Sequence, residues 1–343
     1  MICKELQSTS FLEFPLEKDI SQQTYVNIDT NIQYLCKTIE IDRNSLDQSF
    51  IYHDTQCEYL LLKSITEDAK HRNSFINIPS TSMYNRYSNI IPYKHNAVPI
   101  NPSNSLENEP SNYINASFLS FPNKIKFISA QNPLENTINS FWLMIIYHKI
   151  SFVILFSYTF EESSDKFIPY WPTQKNDPIN IKDPSSGKEF IIKINSYLTI
   201  VEKFVVMREF DVYDSDTNEI CLKIKHYHLN CWEDHALPLQ QIGFQVCDDL
   251  ILKMDEEINQ GYSNPFLVHC SDGVGRSGTF IALFIIIKSL MMQKKDKVEN
   301  PKFNVFNVVR KLREERYGMV NNASMYKYIY DFSKKWIEMF YDI

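Results

Sequence analysis

The feature that most constrains this chain lies late in it. Phe266-Leu267-Val268-His269-Cys270 is a short apolar run, Ser271 to Gly275 is rich in turn formers, and Thr279 to Ile287 is continuously apolar. The pattern predicts a buried strand, a tight loop and a buried helix, because neither apolar run can face water. The chain holds only seven glycines, and three of them, Gly273, Gly275 and Gly278, fall within six positions here. Backbone free to take positive φ can turn its N–H groups inward, and a helix starting behind them adds partial positive charge. Such a loop is a nest for an anion.

Two side chains turn the nest into a candidate site. Cys270 opens the loop where inward amides and a helix N-terminus favour a thiolate, the nucleophilic form of cysteine. Arg276 closes it, with a planar fork that can hold two oxygens of a tetrahedral oxyanion as lysine cannot. Taken singly, each would read as a buried structural thiol or a helix cap. His269, the clustered glycines and Ser277, all in register on one strand-to-helix turn, favour a phosphate cradle with a nucleophile at its floor.

At these residues the sequence resembles the protein tyrosine phosphatase family, whose signature is His-Cys, five residues, Arg, then Ser or Thr. Dual-specificity phosphatases share that signature, and other stretches separate the two. Tyr84-Asn85-Arg86-Tyr87-Ser88-Asn89 resembles the family's Asn-Arg-Tyr segment. The resemblance implies that Tyr87 walls a deep slot and stacks on the phenyl ring of phosphotyrosine, and that Asn89 holds the substrate's backbone. Asn112 to Ser117, Ile128 to Leu134 and Thr137 to Met144 resemble scaffold motifs, with Asn132 where a glycine is usual; asparagine tolerates a left-handed turn.

Further correspondences follow the same resemblance. Glu161 matches a glutamate that orients the loop arginine, a sensible partner for Arg276, and Lys166 a lysine near the rim; a solvated charge pair is the alternative for both. Cys231-Trp232-Glu233-Asp234-His235-Ala236-Leu237-Pro238 resembles a mobile loop carrying the general acid, here Asp234. Glu233 stands for its proline, which leaves the closed loop less pre-formed. Asn321 and Met325 stand for two glutamines that position water. Asp272 stands for an alanine: pointing inward it would repel phosphate and raise the thiol pKa, and pointing outward it would do little.

Elsewhere periodicity gives the outline. Phe152–Phe156 reads as a buried strand. Phe190 to Ile194, Tyr197 to Met207 and Ile220 to Leu229 read as antiparallel strands. Phe244 to Ile258, Phe303 to Arg316 and Tyr326 to Phe340 read as helices, Gly318 capping the second. Tyr34, Leu35 and Ile39 could share one side of a short helix, and Pro99 to Asn112 reads as a surface loop. His226, His228, Cys231 and His235 lie close in sequence; a zinc site is conceivable, but second ligands at metal spacing are missing and a strand leaving the sheet is favoured.

The resemblance covers about residues 57 to 340. It implies an α/β fold, a central twisted mixed β-sheet flanked by helices, with residues 1–56 an N-terminal extension and 57–343 the catalytic domain. It also implies hydrolysis of phosphotyrosine in proteins through a phosphocysteine on Cys270, with Arg276 and the loop amides of Ser271, Asp272, Gly273, Val274 and Gly275 binding phosphate, Asp234 as acid and base, Asn321 placing water, Ser277 steadying the returning thiolate, and no metal or cofactor. The alternatives are a weak or inactive domain that captures and shields phosphotyrosine, and a dual-specificity or phosphoinositide phosphatase, which the Tyr87 segment disfavours.

Composition excludes other classes. A net charge of −7 with no long basic run argues against nucleic acid as a partner. The start lacks the apolar stretch of a signal peptide, and Lys288 interrupts the longest apolar run, so no membrane span is expected. Seven cysteines, odd in number and with no C-x-x-C pair, suit reduced thiols. A cytoplasmic or nuclear address is the expectation, with the oligomeric state open.

Overall fold

In a computed structural model of the chain, the residues described are 38–42, 46–50, 54–66, 74–76, 78–104, 106, 110–121, 125–157, 168–201 and 204–341. The strands are β1 (Ile39–Glu40), β2 (Ala97–Pro99), β3 (Tyr113–Ser120), β4 (Lys126–Gln131), β5 (Phe152–Phe156), β6 (Ile179–Lys182), β7 (Glu189–Val201), β8 (Val205–Asp214), β9 (Ile220–Leu229), β10 (Phe266–Cys270) and β11 (Lys302–Phe303). The helices are α1 (Leu46–Phe50), α2 (Thr55–Thr66), α3 (Ile138–Tyr147), α4 (Gln240–Asn259), α5 (Gly275–Lys295), α6 (Val305–Glu315) and α7 (Ala323–Phe340).

Nine strands form one mixed sheet in the order β2-β3-β4-β10-β5-β9-β8-β7-β6, while β1 pairs with β11. The four central strands, β4, β10, β5 and β9, run parallel and the flanks antiparallel. Parallel strands are covered on both faces, which is why Phe152 to Phe156 and Phe266 to Cys270 are buried at every position. Successive side chains alternate between two cores. Phe266, Val268 and Cys270 pack on one face with Phe280, Ile281 and Phe284 of α5. Leu267 packs on the other with Phe141 and Trp142 of α3.

Helix α5 runs through the first of these cores. Its residues Phe280 to Ile287 are at most 1 % exposed, each large side chain contributing about 1.5–3 kcal/mol of burial. Among the described residues it is the one helix long and apolar enough to cross a membrane, and 83 % of that stretch is buried inside the fold. That packing fixes its N-terminus directly behind the end of β10.

Several local expectations need correction. Tyr34 and Leu35 lie outside the described residues, and Ile39 is in a strand rather than a helix. The predicted strand Tyr197 to Met207 spans a hairpin, since Phe204 N–H donates to Val201 O at 3.0 Å and β8 runs back antiparallel. Arg316, extended at φ −147°, caps α6; Gly318 lies two residues on, at φ +76°. Asn132 is not among the residues with positive φ, so its turn never required the glycine. Within Pro99 to Asn112, Pro99 ends β2 and the buried Asn112 side chain binds Asn101 N, Asn101 O and Asn104 O.

Candidate active site

Cys270 ends the central parallel strand, where ligands gather in open α/β sheets. The loop behind it is shaped by its carbonyls, each held from outside. Ser271 O accepts from Asn132 N, Asp272 O from Arg316 Nη2, Gly273 O from Ser129 Oγ and Arg316 Nε, and Val274 O from Val320 N. With the carbonyls turned out, amides turn in. Gly273 alone in the loop takes positive φ, +67°, and a Cβ there would lie 2.3 Å from Ala130 O. Gly275 is small for another reason: a Cβ would meet the Asn321 amide at 2.9 Å.

Arg276 is wholly buried. Its Nη1 donates to Trp232 O at 2.9 Å, and its Nη2 lies 3.3 Å from Asp234 Oδ1. The loop that carries Asp234 is therefore seated on the guanidinium. It is braced from within by Trp232 Nε1 donating to Ala236 O. Glu233 is exposed, and its carbonyl accepts from Ala236 N at 3.3 Å. His235 takes φ +58°, and its carbonyl accepts from Asn322 Nδ2. Glu161 and Lys166 lie outside the described residues.

The far wall comes from the Tyr87 segment. Tyr87 Oη and Ser271 Oγ are 2.8 Å apart, Gln131 bridges Arg86 N and Tyr84 O, and Arg86 donates to the carbonyls of Asn132 and Pro133. Tyr113 and Asn115 both donate to Asn85 Oδ1, and Asn115 also donates to Ile90 O. Tyr113, Asn115 and Ser117 alternate along β3, so all three face this side. Sequence reasoning gave that motif no chemistry; its work is to hold the cleft wall and Arg316.

Between the walls lies a cleft of about 350 Å³ lined by Tyr87, Asn89, Asp234, Asp272, Val274 and Asn321, and also by Tyr59 and Lys63 of α2 and by Arg313. That is within the range of small-molecule pockets, about 300–1,000 Å³. The contributions of α2, Arg313 and Arg316 were missed from sequence. Met325 is wholly buried in the core, so it does not stand in for a water-positioning glutamine.

Asp272 points inward. Its Oδ1 accepts from Val274 N at 2.8 Å and Gly275 N at 3.2 Å, and lies 3.2 Å from Cys270 Sγ; its Oδ2 is 3.4 Å from Asn321 Nδ2. This corrects the expectation of a thiolate favoured by the loop. Burial pushes the Cys270 thiol above its ordinary value, Asp272 pushes it further, and Arg276 and Ser277 pull the other way. The loop amides stabilise the carboxylate instead.

Behind Cys270 the strand's other face is polar but neutral. His269 Nε2 and His226 Nε2 both meet the Tyr170 hydroxyl, at 2.8 and 3.0 Å. Burial takes His269 down to about 3 and puts His226 well below the ordinary histidine range. His228 meets Ser157 Oγ, which donates to Asn230 Oδ1 beside the loop that carries Asp234. His226 and His228 are thus tied to hydroxyls, and among the described residues no three His, Cys, Asp or Glu side chains group to hold a metal.

A sequence profile described as "Protein-tyrosine phosphatase" matches residues 81–334. The chain is 33 % identical over 220 residues to Tyrosine-protein phosphatase 2 of Dictyostelium discoideum, covering 64 % of this chain and 53 % of that one. It is 31 % identical over 252 residues to human Receptor-type tyrosine-protein phosphatase alpha, covering 72 % and 28 %. With human Tyrosine-protein phosphatase non-receptor type 20 the identity is 28 % over 258 residues, covering 74 % and 54 %. The chain thus spans about half or less of the length of these relatives. With a matching profile over most of its length and an α/β architecture of nine mixed strands between helices, the chain belongs to the protein-tyrosine phosphatase family.

Proposed function

We propose that this chain hydrolyses phosphotyrosine in proteins through a covalent phosphocysteine. The observation that carries the reading is the single cluster of Cys270, Arg276 and Asp234, with the guanidinium 3.3 Å from the acid's carboxylate and buried behind a cleft lined by Tyr87, Asp234 and Asp272. The phenyl ring stacks against Tyr87, and the depth of the slot favours phosphotyrosine over phosphoserine. Asn89 holds the peptide backbone.

The Cys270 thiolate attacks phosphorus, forming the S–P bond as the bond from phosphorus to the tyrosine oxygen breaks. Arg276 and the inward amides hold the equatorial oxygens, where charge develops. Asp234 gives its proton to the departing phenolate. Water placed by Asn321 then gives a proton back to Asp234 and attacks phosphorus. Inorganic phosphate leaves, and the returning thiolate is steadied by Ser277. Each step is carried by protein groups alone, so turnover is expected to persist in EDTA. Among the described residues Cys57, Cys221, Cys231, Cys247 and Cys270 are free thiols, which suits a reducing, cytoplasmic or nuclear compartment.

A second reading, capture of phosphotyrosine with little turnover, is favoured by one observation: the inward Asp272 carboxylate beside the nucleophile. A steady-state assay of the full chain on matched phosphotyrosyl and phosphoseryl peptides separates the two. Sustained release of phosphate from phosphotyrosine only, abolished in Cys270→Ser and reduced at least a hundredfold in Asp234→Asn, supports the enzyme. Turnover unchanged in Cys270→Ser refutes it, and tight peptide binding without turnover supports capture.

A further inference from the structure

The floor of the cleft is not the nucleophile. Cys270 and Arg276 are each 0 % exposed, whereas Asp272 and Asn321 line the cleft. The two amides that a phosphoryl oxygen would use, those of Val274 and Gly275, already donate to Asp272 Oδ1. The Cys270 thiol points at the same oxygen. We propose that the Asp272 carboxylate is a tethered stand-in for the substrate's phosphate, seated in the nest at rest and displaced when a phosphoryl group enters. This rests on the reading of the nest as the phosphate site.

The chemistry of the occupant is right. A carboxylate presents two anionic oxygens and accepts backbone N–H bonds as a phosphoryl group does. The tether also lets it leave without unmaking the nest. The backbone carbonyls of Asp272 and Gly273 are held by the buried Arg316, so rotation of one side chain toward the cleft and Asn321 clears the amides while the loop stays formed. An internal ligand lowers apparent affinity by the fraction of time the seat is open: a seat open a tenth of the time binds phosphate about tenfold more weakly. The same occupant guards the sulfur. With the amides committed to Asp272 and its negative charge alongside, less of Cys270 is thiolate at neutral pH, and attack by electrophiles is slower.

Two measurements on the full chain at pH 7 test this: calorimetric affinity for inorganic phosphate, and the rate of Cys270 alkylation by iodoacetamide followed by mass spectrometry. Asp272→Ala is expected to bind inorganic phosphate at least tenfold tighter than the unaltered chain and to be alkylated at Cys270 at least tenfold faster. Asp272→Asn keeps an oxygen for the two amides but no charge, and is expected to fall between them in both readings. Should the alanine variant not fold, the asparagine variant decides by the same two readings. Equal phosphate affinity and equal alkylation across the three folded proteins overturn the inference and leave the phosphatase reading standing. Absence of phosphate binding in all three overturns both.

Discussion

Arg316 carries a full charge at the centre of the protein with no exposed surface. Burial lowers its pKa only to about 10, so it remains charged at neutral pH. Its N–H groups reach Gly273 O, Asp272 O, Ser117 Oγ and Asn115 Oδ1, which ties the loop after Cys270 to β3 in one fork. Lysine has the charge but not the geometry. Arg316→Lys is expected to cut kcat/KM at least tenfold, and Arg316→Met to destabilise further, by about 1–3 kcal/mol for each acceptor left unpaired; urea unfolding and peptide turnover read both. A lysine variant with unaltered stability and turnover would contradict this role. Sequence reading found Cys270, Arg276 and Asp234 because their motifs are local. It missed Arg316 because its partners are 199 and 201 residues away on β3 and 43 and 44 away on the loop, a proximity that only the folded sheet creates. The direction of Asp272, left open by sequence, was settled by which amides the loop presents.

The strands β9 and β10 bury three histidines, His226, His228 and His269, all held below the ordinary histidine range, chiefly by burial. A group whose folded pKa is depressed binds protons preferentially when unfolded, so stability falls as pH drops below the unfolded value of about 6.5. For His269 the loss continues down to about 3. Each such histidine contributes a slope of about 1.4 kcal/mol per pH unit in that window. Unfolding free energy is expected to fall between pH 6 and pH 4.5, steeply enough to require more than one proton; a flat profile would contradict neutral burial. The strands themselves were legible where turns marked their ends, as at Ile220–Leu229. They were not at β7 and β8, because the sequence between Val201 and Phe204 is Glu-Lys, with no glycine, proline or asparagine to mark an end, so alternation ran on through it.

At the scale of the molecule, the chain before residue 57 takes part in the main core. Ile39, Ile41 and Leu46 are at most 8 % exposed and belong to the same cluster as Cys270, and β1 is paired with β11. A chain starting at residue 57 loses those contacts, while one starting at 38 keeps them. The shorter chain is expected to be less stable by several kcal/mol, at about 1.5–3 kcal/mol for each large apolar side chain removed; equal melting temperatures would show that the segment adds nothing. A two-residue strand pairing with a partner more than two hundred residues away leaves no periodic trace, so this junction could not be read from sequence. The fold as a whole could, through the family resemblance that the local motifs carry, with the apolar central strands and α5 consistent with it. The central claim is that a phosphoryl group passes through Cys270, and acid quenching during turnover of a phosphotyrosyl peptide, followed by mass spectrometry of the peptide spanning Pro265 to Arg276, tests it most directly. The account predicts one phosphoryl group on Cys270, enriched in Asn321→Ala, which slows only the second step; sustained phosphate release with Cys270 never modified, or with the phosphoryl group on another residue, would contradict it.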